Sequence, residues 1–295
     1  MDVVSWQYKF FSKWFSKLPI KLKLKILFFR RFRCLPNLKA PTTFNEKLNW
    51  RKLHDHDPLL TVAADKIASK SFVSNICPEI EVPQTLWEGD SFDDFPLGKL
   101  PEKYVVKANH GSRMNLFFDE LNKPDLKALK ALHPSWIKHD QFSTLGEWGY
   151  KNIVKKVFVE EFLDFSGTVP DDYKFFVYHG KVKFIQLDTG RFKKHYRNMY
   201  TENWDDLNIN FSHDRKTPSP EKPELFNTMR QAAEKIGQYF TFIRIDFYQL
   251  NNKVYFGELT VYPGAGYEVF PTGEVDKMFG QPWDISRKPQ KQYQI

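Results

Sequence analysis

The run RIDFYQLNNKVYFGELTVYPGAG, residues 244 to 266, holds the residues best suited to chemistry. Arg244 and Asp246 are two apart on one strand-like segment, and Glu258 and Thr260 are two apart on the next. Strand periodicity puts the members of each pair on one face. Two carboxylates on neighbouring strands beside an arginine suit a magnesium and phosphate site, because Mg²⁺ takes hard oxygen ligands and uses one or two carboxylates plus substrate phosphates. The same pattern also fits a cross-strand salt bridge on a solvated sheet face. Register separates the two readings. A plain two-residue turn at Asn251 and Asn252 pairs Glu258 with Ile245 and sends the carboxylates to opposite faces. The metal reading requires a three-residue loop, 251 to 253, or a bulge, for which Gly257 is suited.

Other candidates lie upstream. Lys66, in DKIASKSFV, stands four residues before Lys70 on a helical pattern, where exposed lysines are ordinary. Lys107 follows a Val-Val strand and precedes the small-residue turn HGSRMN, which contains Ser112 and a single glycine. Glu160 and Glu161 end the strand KVFVEEFL, with Phe162 and Leu163 behind them as an apolar wall. Asp188 and Arg191, with Lys174, are candidates for the edge of a substrate site, beside the basic cluster Arg191, Lys193, Lys194, His195 and Arg197. His110 is the histidine to watch, next to Gly111. With two cysteines, Cys34 and Cys77, and no H-x-x-x-H spacing, neither a zinc site nor a disulfide framework is expected.

The elements that must position these residues are of both kinds. Thr43 and Glu46 form a capping box that opens a helix through FNEKLNWRKL. A second helix is expected from Pro58 to Ser74, another in the first half of KPDLKALKALHPSWIKHD, and another from Pro223 to Tyr239. EVPQTLW and KYVVKAN read as strands, and hairpins are expected at His179-Gly180 and Asn251-Asn252. Residues 196 to 223 read as a long polar connection. The class is α+β, antiparallel in its second half.

Charge excludes one class of function. The net charge is +8, and residues 1 to 35 carry all of it: nine basic side chains against Asp2. The remaining 260 residues hold 35 basic and 35 acidic side chains, so the body lacks the footprint of a nucleic-acid binder. Phe11, Trp14, Phe15 and Leu18 oppose Lys9, Lys13 and Lys17, so Trp6 to Leu18 reads as an amphipathic helix, and PIKLKLKILFFRRFR is also read as helix. Such a segment can lie on an anionic membrane surface or pack against its own domain. No apolar run reaches membrane-spanning length, and a secretory signal is not expected; the location expected is the cytoplasm, with peripheral contact at the inner face of the membrane.

The run from Arg244 resembles the C-terminal signature of ATP-grasp ligases, in which an R-x-D strand is followed by an E-x-N strand and a Pro-Gly turn. Upstream, DKIASKSFV with EVPQ, then YVVKANHGS, then VFVEEFL, occur in that family's order. With TFNEKLNWRKL and DYKFFVYHGK, they resemble the TupA-like branch, associated with teichuronopeptide and other surface polysaccharide synthesis. The resemblance implies an ATP-grasp fold of two α+β subdomains gripping ATP behind N-terminal helices. The expected division is 1–36 basic segment, 37–100 pre-grasp region, 101–163 small subdomain and 164–295 large subdomain.

The resemblance further implies ATP and Mg²⁺, and assigns roles. Lys66, Lys107 and Ser112 lie at the phosphates, and Glu160, Glu161, Phe162 and Leu163 at the adenine. Asp246, Glu258 and Thr260 hold the metal, Thr260 standing where the family has asparagine. Arg244 and Lys107 are catalytic. The implied reaction joins a carboxylate of a uronic-acid-containing glycan to the amine of an amino acid through an acyl phosphate. The alternatives are a kinase or glycosyltransferase using the same pocket, and a non-catalytic membrane-surface assembly factor.

Overall fold

The computed structural model describes residue 15 and residues 17–165, 170–190 and 194–294. The expected helix over Trp6 to Leu18 lies almost wholly outside them, as do Arg191 and Lys193. The described chain runs through helices α1 (Ile20–Phe32), α2 (Phe44–His54), α3 (Leu59–Ala64) and α4 (Lys66–Ile76). Next come β1 (Thr85–Gly89), β2 (Tyr104–Ala108), β3 (Asn115–Phe118), α5 (Leu126–Lys138), α6 (Gln141–Leu145) and β4 (Val157–Glu161). The remainder is β5 (Asp172–Tyr178), β6 (Lys181–Thr189), β7 (Tyr196–Thr201), α7 (Phe226–Gly237), β8 (Phe242–Leu250), β9 (Lys253–Thr260) and α8 (Gly273–Gly280). The strands form two antiparallel sheets, a smaller one in the order β1-β4-β2-β3 and a larger one in the order β7-β6-β5-β8-β9. The smaller sheet thus draws β1 from before residue 100.

Alternation along the strands divides the larger sheet into two unlike faces. Tyr173, Phe175, Val177, Ile243, Ile245 and Phe247 point into a core closed by α7 and α4. On the opposite face, Phe176, Tyr178 and Phe242 pack with Phe44, Phe279 and Trp283 at one end. Polar residues occupy the rest of that face. Arg51 of α2 is fully buried beneath the aromatic end, donating to the Phe242 and Val261 carbonyls and lying 4.4 Å from the Trp283 ring centre. In the smaller sheet Val106, Ala108, Val157 and Val159 meet Leu129 and Trp136 of α5, which leaves Lys107 and Glu160 on the other face.

Three elements differ from expectation. The single helix expected from Pro58 to Ser74 breaks at Asp65, whose extended backbone (φ −83°, ψ 114°) forms a bridge with His110. Its side chain caps the next helix by accepting from the amides of Ile67 and Ala68. The polar connection expected from residue 196 begins as strand β7, since Met199 and Tyr200 are buried and pair with β6. Helix α5 continues through Pro134 to Lys138, beyond the half expected.

The capping box at Thr43 and Glu46 is present, and PIKLKLKILFFRRFR is helical from Ile20. Helix α1 packs on the body through Leu24 and Phe28, and Lys23 donates to the Ser143 carbonyl at 2.9 Å. Among the described residues, no helix is long and apolar enough to cross a membrane.

Candidate active site

The last hairpin settles the register question. Asn251 and Asn252 make a two-residue turn with positive φ at both (49° and 58°), pairing Leu250 with Lys253. Asp246 pairs with Glu258 while Phe247 pairs with Phe256, so Gly257 is the extra, bulged residue. Of the two arrangements that the metal reading allows, the bulge at Gly257 is the one present, and it restores the two carboxylates to one face. A Cβ at Gly257 would stand 2.9 Å from the Asp246 carbonyl oxygen, so the close crossing favours glycine.

On that face Arg244 grips Asp246 with two parallel hydrogen bonds, both 2.7 Å. It also reaches Thr260 at 2.9 Å and Glu258 at 3.3 Å. Lys174, paired with Asp246 across β5 and β8, donates to Asp246 at 2.8 Å and to Asp172. Burial alone would raise the Asp246 carboxyl, but Arg244 and Lys174 outweigh it and hold the group below the usual carboxylate range. Burial likewise works against the Lys174 ammonium, and Asp172 and Asp246 more than reverse it.

Asp188 is also buried. It accepts from Arg197 at 2.6 Å and from Gln186 at 2.9 Å, so its charge is spent within the sheet instead of lying at an open edge. His195 stands 3.3 Å from it and packs against His213.

A second cluster faces this one from the smaller sheet. Lys107 of β2 and Lys70 of α4 both engage the Glu160 carboxylate, Lys70 at 2.5 Å. Lys70 donates further to the Pro83 carbonyl at 2.9 Å. Burial would raise Glu160, yet these two lysines pull it below its ordinary value. Lys70 is therefore a buried partner of Glu160, unlike the exposed lysines that are ordinary on a helical pattern.

Lys66, the first residue of α4, is within electrostatic reach of both clusters. Burial lowers its pKa against the pull of Glu258 from the larger sheet, while Lys107 of the smaller sheet lowers it further. Its ammonium donates to the Gly111 carbonyl in the HGSRMN loop. Ser112 of that loop is exposed. At the end of β4, Glu161 exchanges hydrogen bonds with Gln84, and Phe162 sits edge-on to Phe117.

Asp246, Glu258 and Thr260 fit magnesium in the kind of atom they offer, since all three give oxygen and two are carboxylates. Glu258 is open, its side chain 47% exposed against 2% for Asp246. Asp246 already shares both oxygens with Arg244 and Lys174. Among the described residues no group of three or more His, Cys, Asp or Glu forms a ready metal centre.

Two residues, Asp172 and Asn109, were not visible as site residues in sequence, whereas Glu147, Trp148, Tyr150 and Lys151 could be read there either as the lining of a site or as core. Asp172 shares its strand face with Lys174, two positions on, which is the one signal it carried. Asn109 is a buried hub: its amide donates to Asp65 at 3.0 Å and the Val154 carbonyl at 2.9 Å, and its carbonyl accepts from the Lys156 amide at 2.8 Å. Burial, with the negative charges of Glu147 and Glu258, raises the Tyr150 hydroxyl well above its ordinary value.

Comparison with known proteins finds distant likenesses among solved structures and one family. The chain is similar to D-alanine–D-alanine ligase of Helicobacter pylori at 15% identity, covering 77% of this chain and 60% of that one, with a TM-score of 0.44. It is similar to phosphoribosylamine–glycine ligase of Thermotoga maritima at 13% identity, covering 70% and 50%, with a TM-score of 0.44. Similarity to N5-carboxyaminoimidazole ribonucleotide synthetase of Thermus thermophilus is 13%, covering 68% and 45%, with a TM-score of 0.40. The chain spans less than two thirds of the length of each, and likenesses this distant assign no chemistry to it. No curated protein matches. The model of the TupA-like ATP-grasp family matches residues 46–283, which enclose every site residue from Lys66 to Thr260, and the chain belongs to that family.

Proposed function

We infer that the chain is an ATP-dependent carboxylate–amine ligase that activates a sugar carboxylate and couples it to the amine of an amino acid. The observation that carries this reading is Lys66, whose ammonium donates to the Gly111 carbonyl and lies within electrostatic reach of Glu258 of one sheet and of the Lys107–Glu160 pair of the other. Two lysines from different elements meet there with a conformationally special loop, Gly111 having φ 119°, which suits a polyphosphate.

Lys66 and Lys107 would offset triphosphate charge, and the end of β4 from Glu161 to Leu163 would receive the adenine. Magnesium held by Glu258 and Asp246, with Thr260 beside them, would neutralise charge between phosphates during in-line transfer. Arg244, its guanidinium fixed by Asp246, would hold the acyl phosphate by charge-assisted hydrogen bonds while a neutral amine attacks the carbonyl and phosphate leaves. A uronic acid of a bacterial surface polysaccharide is the acceptor we assign, on the strength of the family. Peripheral contact with an anionic membrane belongs to the same reading, supported by the clustering of the +8 charge in residues 1 to 35.

The test is incubation of the full chain with ATP, Mg²⁺, hydroxylamine and a panel of uronic acids. A hydroxamate formed together with ADP is the expected result. ADP release with a phosphorylated sugar and no hydroxamate across the panel would overturn the ligase in favour of a kinase.

A further inference from the structure

Beyond the strands that carry Arg244 and Glu258, a cleft of about 290 Å³ opens between α1, α2, α6 and the turn at residues 148 to 151. Two of its lining residues are lysines, Lys52 and Lys151, set among Ile20, Leu53, Phe142 and Trp148. Lys52 is 1% exposed. One hydrogen bond satisfies it, to the Ala265 carbonyl at 2.7 Å, with the Tyr267 ring 4.6 Å away. Lys151 lies 5.4 Å from the Phe142 ring centre. Neither is ion-paired within the described chain. A buried ammonium with one carbonyl partner leaves two N–H donors unused, a costly state unless an anion completes the site.

Directly before the cleft-lining Trp148 is Glu147, 3% exposed, whose carboxylate accepts no hydrogen bond among the described residues. Lys52 and Glu147 are opposite charges in one buried region, yet they stand beyond ion-pairing distance. The segment that carries Glu147 is fixed: the Gly149 amide donates to the Tyr262 hydroxyl at 3.1 Å, and a Cβ on Gly149 would meet the Leu60 carbonyl at 2.9 Å. The gap between the two charges is thus built into the packing of this segment on α2 and α3.

We propose that this cleft binds the amine substrate as an α-amino acid, its carboxylate on Lys52 and Lys151 and its ammonium group on Glu147. The proposal rests on the ligase reading. A molecule carrying both charges on neighbouring atoms satisfies the two buried groups at once, and the apolar wall takes the substrate's carbon skeleton. Glu147 lies two residues before Gly149, whose amide donates to the hydroxyl of Tyr262, two residues past the end of β9, so the segment that carries Glu147 adjoins the strand that carries Glu258. The attacking amine has to be neutral. Burial raises the Glu147 carboxyl against the pull of Lys52, which makes it a competent acceptor for the ammonium proton. The proton moves from the substrate nitrogen to a Glu147 oxygen; the freed lone pair then forms the C–N bond as the carbonyl–phosphate C–O bond breaks.

Isothermal titration of the full chain with the twenty standard L-amino acids, D-alanine and D-glutamate, each beside its carboxamide, tests this. At least one amino acid binds and its carboxamide does not. Lys52→Met and Glu147→Gln each weaken that binding about tenfold or more, and the surface variant Lys151→Met, which leaves no buried group unpaired, weakens it severalfold. Equal binding of acid and carboxamide, undiminished binding to Lys151→Met, or no amino acid binding at all would overturn the proposal. Hydroxamate formation by the unaltered chain reports on the ligase reading separately, because hydroxylamine carries no carboxylate. A chain that makes hydroxamate yet binds no amino acid remains a ligase without this site.

Discussion

Asp246 and Glu258 face each other across β8 and β9 because Gly257 bulges out of the ladder between them. Gly257→Ala places a methyl group 2.9 Å from the Asp246 carbonyl. That overpacking is expected to destabilise by about 1–3 kcal/mol and to displace Glu258 relative to Asp246. Thermal melting should show the first effect and a magnesium titration of ATP turnover the second. Unchanged magnesium dependence in a stably folded Gly257→Ala would separate the bulge from the metal.

Glu258 and Thr260 separate in the same titration. Glu258 is the exposed carboxylate, whereas the Thr260 hydroxyl accepts from Arg244 and lies 3.4 Å from Glu258. Glu258→Gln should raise the magnesium concentration for half-maximal turnover by about tenfold or more. Thr260→Ala should act mainly through Arg244, lowering turnover with a smaller change in magnesium demand. The opposite ranking would move the metal away from Glu258.

Glu160 is held by lysines from two different elements, so removing one partner exposes the cost of the buried charge. Lys70→Met should destabilise the fold by about 3 kcal/mol, since a carboxylate loses one of its two cations. The double variant Lys70→Met/Glu160→Gln should recover part of that loss. A denaturant double-mutant cycle measures the difference, and additive effects would mean that the two groups do not interact.

The grouping of the residues we propose for phosphate and metal was largely legible in sequence, because those residues lie within two positions of one another on strands or next to small-residue turns. The paired faces of Arg244, Asp246, Glu258 and Thr260 follow from alternation alone once the bulge is allowed. What escaped was pairing across distant elements. Lys70 had no role assigned because a helix pattern does not say which lysine meets a strand 90 residues later. β7 looked like loop because its polar Asn198 and Arg197 find partners, Lys216 and Asp188, that lie outside the strand. The Asp65 break was hidden because aspartate is tolerable inside a helix, and its bridge to His110 is a tertiary contact.

That bridge leads to a pH dependence. The His110 ring is buried between the Asn109 side-chain carbonyl at 3.1 Å and the Trp136 carbonyl at 3.0 Å. Burial is the main influence on it; Lys155, Lys66 and His139 add to it against the Trp136 carbonyl, and the pKa is pushed down to about 4. An unfolded histidine binds its proton at about 6.5. Below that pH the unfolded chain takes up a proton that the folded His110 refuses until about pH 4, so its contribution to stability is complete above pH 6.5 and drains away as the pH falls. The melting temperature should therefore decline through this window, before the paired carboxylates Glu160 and Asp246 protonate. His110→Asn should be less stable at neutral pH but show a flatter decline. The ring resonances of His110 should stay unshifted down to about pH 5. A titration midpoint at or above 6.5 would mean that the loop is open enough to solvate the imidazolium. The bridge from His110 to Asp65, and with it the start of the helix that carries Lys66, would then not be held by a neutral ring.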